Sequence, residues 1–343
     1  MGITIVARAL PAVEPVRNYR AARRRVERGE AIAIRRAGLL PVDPEWTAWE
    51  RAEQVALAEA QSVAGHMSSK GVLSHTTAAL VHGLGLLRTP EVTHVTQESK
   101  PTGRRTVGVV RHSGRLRAED VTEVNGLRVT TIERTIVDCA RLLHPREALV
   151  VADSGLRALV RPSRAGRARA DALAREILDR LVDMVGYGGG PPRARPRAVV
   201  RQASPYPESP YESVLRWIVV AHGLPEPQVQ LAVDTRLGKC YADLGWSLTH
   251  RGEPWILLLE YDGELKYTRS SDDGDLLDVQ GVTGVVLRER RRENALLEVP
   301  GVRVLRFDRH DVRDPHEVVR RIRAALPTDF VSELEPVPEL LAH

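Results

Sequence analysis

The sequence is poor in aromatic residues and in cysteine. Aromatic side chains make up 4% of its 343 residues, so its hydrophobic cores must consist mainly of Leu, Val, Ile and Ala. The two cysteines, Cys139 and Cys240, lie far apart and have no cysteine or histidine partner at metal-site spacing. Both are therefore predicted to be reduced core residues rather than disulfide partners or zinc ligands.

The sequence also lacks long apolar runs. It has no stretch of about 18 apolar residues, so no membrane span and no membrane partner are expected. Its first residues show no basic region followed by an apolar stretch and a small-residue cleavage site. We therefore expect a cytoplasmic protein, in the compartment where DNA is accessible.

Positive charge is abundant. The net charge is +5, 28% of the residues are charged, and arginine supplies nearly all of the positive side. Guanidinium groups suit phosphates and base edges, so a basic, arginine-rich chain favours DNA as its partner. A genome of high G+C content would enrich arginine in the same way, and composition alone does not separate the two explanations.

The N-terminal segment, residues 1–45, combines a basic helix with a short hairpin. A helix is predicted over residues 17–28 and ends at Gly29, a residue type favoured just past a helix end. Residues 31–40 alternate enough to form a hairpin or wing. This combination predicts a winged-helix-like DNA-binding head. Its candidate DNA-binding residues are Arg20, Arg23, Arg24, Arg25, Arg35 and Arg36.

The rest of the chain predicts further domains, since 343 residues exceed one ordinary core. Residues 46–185 combine helices with short strands, and one of these helices has Ser74 as its N-cap. Residues 186–208 are rich in Gly and Pro, which predicts a linker without helix or strand. Residues 209–328 form a second folded region, and residues 329–343 a tail. The predicted fold class is mixed α/β.

The C-terminal region predicts the element order α-β-β-β-α-β-α. An amphipathic helix over residues 210–222 precedes three strands. The apolar run 256–259 of the third strand indicates burial on both faces. A helix over residues 286–298, a fourth strand over 302–307 and a last helix follow.

Three acidic residues fall on neighbouring strands of this region. Asp243 lies within the second strand, Glu260 ends the buried run of the third, and Asp262 follows on the same side. Converging carboxylates repel one another, and Mg²⁺ or Mn²⁺ is the usual remedy because both favour oxygen ligands. Glu212, in the first turn of the preceding helix, offers a fourth carboxylate. Two alternatives stay open: Asp243 and Glu260 pair with arginines such as Arg288 or Arg292, and Asp262 belongs to a simple turn.

These residues resemble those of the PD-(D/E)XK nuclease superfamily. The segment Glu260-Tyr261-Asp262-Gly263, with Lys266-Tyr267, the helix residues Glu289-x-x-Arg292-Glu293 and the strand 302–307, is similar to the domain of very-short-patch-repair endonucleases. The similarity covers about residues 208–328. It implies a restriction-endonuclease-like αβββαβ core that hydrolyses phosphodiester bonds with a divalent metal ion.

The resemblance implies a role for each matching position. Asp243 and Glu260 would hold the metal, and Glu212 would complete its shell or orient water. Asp262 stands where the superfamily carries the lysine of its motif. This difference puts the catalytic role of that lysine in doubt and makes Asp262 a candidate metal ligand. Lys266 would stabilise or protonate a phosphate oxygen, or be an ordinary exposed lysine. Arg292 would contact phosphate or brace a carboxylate, and Arg288 lies on the same basic helix.

The N-terminal part resembles a second group. Ser74-His75-Thr76-Thr77-Ala78-Ala79, followed by Val129-Thr130-Thr131-x-x-Arg134-Thr135-x-x-Asp138, is similar to the AbiEi-type antitoxin region of bacterial phage-defence systems and covers about residues 15–160. It implies DNA binding and a toxin-like or defence-system partner protein. For His75 and Asp138 we favour non-catalytic roles, as a histidine of a first helical turn and an aspartate on a helix surface.

Two functions compete at this point. The first is a DNA endonuclease, in which one active centre cuts one strand and double-strand cleavage needs a homodimer or two events. The second is a DNA-binding regulator or antitoxin whose nuclease fold is inactive, which Asp262 in the lysine position favours. An RNA nuclease is not favoured, because no aromatic stacking platform is evident.

Overall fold

The chain forms two compact units in the computed structural model. The structure describes residues 5–67, 71–98, 107–186, 194–263, 287 and 290–341. The N-terminal unit spans Met1–Pro205 and the C-terminal unit spans Tyr206–His343. The division falls inside the Gly- and Pro-rich segment 186–208, and the predicted mixed α/β class is confirmed.

The N-terminal unit is built from helices packed on short strands. Its elements in chain order are α1 (Tyr19–Glu27), β1 (Ala31–Ile34), β2 (Gly38–Pro41), α2 (Ala48–His66), β3 (Val72–Leu73), α3 (His75–Val81), β4 (Thr93–Gln97), β5 (Val109–Ser113), β6 (Val121–Val124), β7 (Leu127–Thr130), α4 (Ile132–Leu142), α5 (Pro145–Val160), α6 (Arg167–Gly186) and α7 (Ala194–Arg201). Strands β1 and β2 pair as an antiparallel hairpin, and the other five strands form one sheet of order β5-β4-β3-β7-β6.

The core of this unit lies between the five-stranded sheet and its helices. The fully buried side chains of Leu57, Leu73 and Val129 bring α2, β3 and β7 into one hydrophobic cluster. Strand β3 has only two residues, yet it pairs antiparallel with β4 and parallel with β7. Strands β3 and β6 were not predicted, and β3, with two residues, is too short to show alternation.

The predicted separate head at residues 1–45 is not an independent domain. Ile34 and Leu40 of the β1–β2 hairpin share a buried cluster with Ala58 of α2, so the predicted boundary at 45/46 cuts through a core. Helix α1, by contrast, buries none of its residues. The helix and hairpin were therefore predicted correctly, but the hairpin belongs to the body of the N-terminal unit.

The prediction of a helix-free linker at residues 186–208 is wrong for its second half. Residues 194–201 form α7, which packs on α4, α5 and α6 and buries Pro196, Val199 and Val200. Pro196 is compatible with this helix because it is the third residue, where the backbone N–H has no partner within the helix. The apolar pair that follows the proline then anchors the helix on its neighbours.

The C-terminal unit is a four-stranded sheet with helices. Its elements are α8 (Pro210–Ala221), β8 (Gln228–Thr235), β9 (Gly238–His250), β10 (Glu253–Tyr261), the described part of a helix α9 (residues 290–297), β11 (Val302–Phe307), α10 (Pro315–Ala325) and α11 (Pro338–Leu341). The sheet order is β11-β10-β9-β8. Strand β10 pairs antiparallel with β9 and parallel with β11. The predicted αβββαβα order is therefore present.

Strand β10 is the buried centre of this sheet. Its residues Leu257, Leu258 and Leu259 are fully buried, as the apolar run predicted. Leu258 shares a cluster with Leu296 of α9, and α8 contacts the same strand. No helix within the described ranges of the chain combines the length and the apolar character needed to cross a bilayer.

Gly245 is a packing constraint of this sheet that can be tested. A Cβ added at Gly245 would come within 2.6 Å of the Leu257 carbonyl oxygen and 2.8 Å of Leu231 Cδ2. Because the carbonyl is part of the sheet backbone, Gly245→Ala is expected to destabilise the C-terminal unit by about 1–3 kcal/mol. Thermal unfolding measures this. Gly263→Ala is the control, since its Cβ meets Tyr261 at an ordinary 3.5 Å; an equal effect of both substitutions would contradict the explanation.

Candidate active site

The predicted acidic site lies where α8 approaches the end of β10. Ser209 caps α8 by accepting the Glu212 N–H through Oγ at 3.2 Å, which fixes the first turn. Tyr211 in that turn stacks on Tyr261 of β10, with ring centroids 4.9 Å apart and planes 3° apart. This stacking brings the first turn of α8, and with it Glu212, to the strands that carry Asp243 and Glu260.

Glu212 is a buried carboxyl beside a second acid. It is 8% exposed, and its Oε2 accepts the backbone N–H of Glu208 at 2.7 Å. Burial, and after it the charge of Asp243, raises the pKa of Glu212 to about 8, although the Glu208 N–H and Ser209 oppose the shift. Glu212 is therefore protonated at neutral pH in the metal-free protein, and it lies close enough to Asp243 to sense its charge.

Asp243 is anchored to β10. It lies in β9 just beyond the pair Leu244–Leu259, and its Oδ2 accepts the backbone N–H of Tyr261 at 2.8 Å. The carboxylate of Asp243 is thus held against the backbone that directly follows Glu260. The sequence predicted this proximity from two adjacent strands, and the structure brings both residues to the same end of the sheet.

Glu260 is engaged by two arginines. Its carboxylate is 12% exposed and lies 3.0 Å from Arg292 Nη2 and 3.6 Å from Arg306 Nη2. Arg306 is the Cα partner of Glu260 on β11, and Arg292 extends from α9 and also donates to the Tyr241 carbonyl. For Glu260 the structure therefore adopts the arginine pairing that the sequence left open, and Arg292 braces a carboxylate.

The other predicted site residues are less closely associated. Asp262 is exposed, and its backbone N–H donates to the Phe307 carbonyl at 2.8 Å. Lys266 and Arg288 lie outside the described residues. Within the described ranges, one group of three or more His, Cys, Asp or Glu side chains has all its ligand atoms within 4.8 Å of one another. This group consists of His75, His94 and His112. The carboxylates of Glu212, Asp243, Glu260 and Asp262 do not meet that distance criterion as a set.

The candidate DNA-binding arginines of the N-terminal unit fall into two groups. Arg20, Arg23 and Arg24 are exposed on α1, whose N-terminus is capped by the Asn18 side chain. Arg23 also pairs with Glu27 of the same helix at 2.8 Å. Arg25 is half-buried and pairs with Glu14 at 2.5 Å, and Arg35 donates to the Val107 carbonyl. Arg36, in the turn between β1 and β2, is exposed with a φ of 58°. The exposed face of α1 is therefore the better candidate contact surface.

The expectation for Asp138 is wrong. It is 3% exposed rather than on a helix surface, and its Oδ1 accepts from Arg134 Nε at 2.8 Å. Arg134 also contacts Asp120 at 3.3 Å, so the Arg-x-x-x-Asp spacing of this motif forms a buried ion network. Burial raises the pKa of Asp138, which Arg134 opposes. His75 does lie in the first turn of α3, as expected, but within the group of three histidines.

Comparison of the chain with protein-family models, with curated proteins and with solved structures finds no match. The geometry of the site therefore supplies the functional argument.

The raised pKa of Glu212 predicts a pH-dependent stability. The folded protein holds a proton that the unfolded chain releases above about pH 4.5, so this contribution is complete below that pH and is lost as the pH rises towards 8. Glu212→Gln mimics the protonated form. In metal-free buffer at pH 8 we expect it to raise the unfolding midpoint by roughly 5 °C, with little gain at pH 5.

The control for this experiment is Glu226→Gln, which changes an exposed carboxyl of the same unit. Differential scanning calorimetry between pH 5 and pH 9 gives both midpoints. A stabilisation by Glu212→Gln that does not change with pH would contradict the assignment of the proton to Glu212.

Proposed function

We propose that the chain is a Mg²⁺- or Mn²⁺-dependent DNA endonuclease. The observation that carries the proposal is the juxtaposition of Glu212, Asp243 and Glu260 at one end of a buried sheet strand in an αβββαβ unit. The three acids lie on three different elements; Glu212 is buried, and Asp243 and Glu260 are partly buried. Removing acids from water costs free energy, which a function that needs negative charge at this point explains.

The pair Glu212 and Asp243 fits a divalent cation. Each raises the cost of ionising the other, and an oxygen-seeking cation would relieve that repulsion. Asp243 and Glu212 would hold the ion, with Glu260 next to them as a third ligand. When bound, the ion would supply the charge that activates water and stabilises the phosphate being cleaved.

Arginines supply the complementary charge for a DNA strand. Arg292 and Arg306 lie beside the acids, and exposed Arg20, Arg23 and Arg24 follow one another on α1 of the other unit. Guanidinium groups bind phosphates through paired N–H donors, and phosphate contacts position a protein on DNA. The site of action we propose is cytoplasmic DNA, and double-strand cleavage would require a homodimer or two successive events.

A second candidate function is a DNA-binding regulator with an inactive nuclease fold, acting with a toxin-like or defence-system partner protein. Two observations favour it. Arg292 and Arg306 already neutralise Glu260, and Asp262 replaces the lysine of the superfamily pattern and is exposed. In this case the exposed arginines of α1 would carry the function and the acids would be a remnant.

Cleavage of supercoiled plasmid distinguishes the two candidates. With Mg²⁺ or Mn²⁺ we expect nicked or linear product, which EDTA abolishes. Asp243→Asn and Glu260→Gln should each lower the rate by about 100-fold or more, because metal catalysis contributes several kcal/mol. The control Asp234→Asn removes an exposed carboxylate of the same sheet that pairs with the exposed Lys239, and this variant should cut at the wild-type rate.

The results of this assay distinguish the endonuclease from the regulator. Cleavage that persists in Asp243→Asn would show that the site is misassigned or that the activity belongs to a contaminant. No cleavage by the wild type with DNA still retarded in a gel would favour the regulator.

Helix α1 can be tested separately through the salt dependence of DNA binding. Replacing Arg20, Arg23 and Arg24 by Gln removes three exposed cations, so the slope of log K against log salt should decrease by about 2–3. The matched control replaces Arg167, Arg169 and Arg175, which are exposed on α6. Fluorescence anisotropy with a labelled duplex measures both slopes. If the α1 variant keeps the wild-type slope, α1 is not a DNA contact.

A further inference from the structure

Three histidines of the N-terminal unit meet at one point. Nδ1 of His94 lies 2.8 Å from Nε2 of His112, and the ring of His75 stacks on that of His112 with centroids 3.8 Å apart. The rings of His75 and His94 are 5.5 Å apart. His75 and His94 are buried and His112 is half-buried, so these imidazoles are largely removed from water.

The sheet and α3 place these rings together. Strand β4 pairs in parallel with β5, where His94 is the partner of Val110 and Thr96 is the partner of His112. Residues two apart in a strand point to the same side, so His94 and His112 share one face of two adjacent strands. The chain then places His75 over this face directly after β3, with a left-handed φ of 52° that turns its backbone at the start of α3.

A hydroxyl network orients the His75 ring. Ser74 Oγ lies 2.9 Å from Nδ1 of His75 and accepts from Thr96 Oγ1 at 2.8 Å. Ser74 was predicted to cap α3, but its side chain makes no cap hydrogen bond and holds this ring instead. A hydrogen bond to one imidazole nitrogen sets the tautomer and the direction of the other, which is how proteins position metal-ligating histidines.

The electrostatics of the pocket are compatible with a neutral imidazole cluster. Burial, followed by the neighbouring histidines and Arg134, lowers the pKa of His75 to about 2. Burial and His112 lower that of His94 to about 4. Neutral imidazole is the form that donates a lone pair. Arg134 and Arg141 both add to the lowering of the pKa of His75, and Arg134 is also paired with Asp120 and Asp138.

We propose that His75, His94 and His112 bind one borderline divalent transition-metal ion of the Zn²⁺ class. Imidazole nitrogen is a preferred ligand of Zn²⁺, Co²⁺ and Ni²⁺ and a poor ligand of Mg²⁺, so this site differs in metal class from the carboxylates of the C-terminal unit. Three protein ligands leave a tetrahedral ion one position for water, which is the arrangement of reactive rather than purely structural zinc sites.

The test is titration of the full metal-free chain with Co²⁺ alone. The Asp243→Asn background weakens the proposed carboxylate site, so that binding there does not confuse the result. We expect one equivalent of Co²⁺ with the visible absorption of a four-coordinate nitrogen site, displaced by one equivalent of Zn²⁺. Zn²⁺ should also raise the unfolding temperature of the N-terminal unit, because it binds the folded state.

His112→Gln is the deciding variant, because its half-buried position tolerates substitution. We expect it to lose the absorption and to weaken binding by about 100-fold or more, since one of three ligands is gone. His66→Gln is the matched control, a histidine of α2 outside the cluster that bonds to the Ser62 carbonyl. Circular dichroism verifies that both variants are folded.

Two results would overturn the proposal. The first is the absence of stoichiometric Co²⁺ or Zn²⁺ binding by the parent chain. The second is binding that is equally tight in His112→Gln and His66→Gln, which would place the metal elsewhere.

Discussion

The position of β10 between β9 and β11 determines the whole candidate site. Each of its buried leucines contributes about 1.5–3 kcal/mol on transfer from water, whereas a partly exposed ion pair such as Glu260–Arg306 contributes about 1 kcal/mol or less. Because both faces of β10 are buried, a slip of one residue would draw Glu260 into the fully buried place of Leu259, where an unpaired charge is costly. Burial therefore fixes the register, and the register brings Glu260 to Arg306 and Asp243 to the Tyr261 N–H.

The N-terminal unit depends on a comparable junction at β3. Leu73 pairs with Val95 on one side and Val129 on the other, so two residues join distant parts of the chain. The motif that begins at Ser74 and the motif that begins at Val129 therefore start next to each other. The helix that the first motif opens also contacts the second motif, because Nε2 of its C-cap residue His82 lies 2.7 Å from the Thr130 carbonyl oxygen. Two motifs 55 residues apart along the chain thus form one structural feature.

Local signals were readable from the sequence, and pairings between distant segments were not. Three of these signals depend only on neighbouring residues: helix periodicity, the glycine after α1 and the apolar run of β10. The structure agrees with each of them. Helix α7 was missed because its proline was read without its position in the first turn. The acids Asp243 and Glu260 were found because a hairpin connects their strands. Arg306 and the pair His94 and His112 were missed, because parallel register is set by contacts far apart in sequence.

The two polar clusters differ in how their charge is balanced. The imidazoles are neutral and need no counter-charge, so a metal ion would have to replace only the hydrogen bond between His94 and His112. At the carboxylates the balance is already met: Glu212 holds a proton at neutral pH, and two guanidinium groups face Glu260. A cation there must compete with Arg292 and Arg306 for Glu260. Both arginines leave a carboxylate most readily for another anion, and a DNA phosphate is such an anion. In the proposed nuclease, substrate binding would therefore favour binding of the metal.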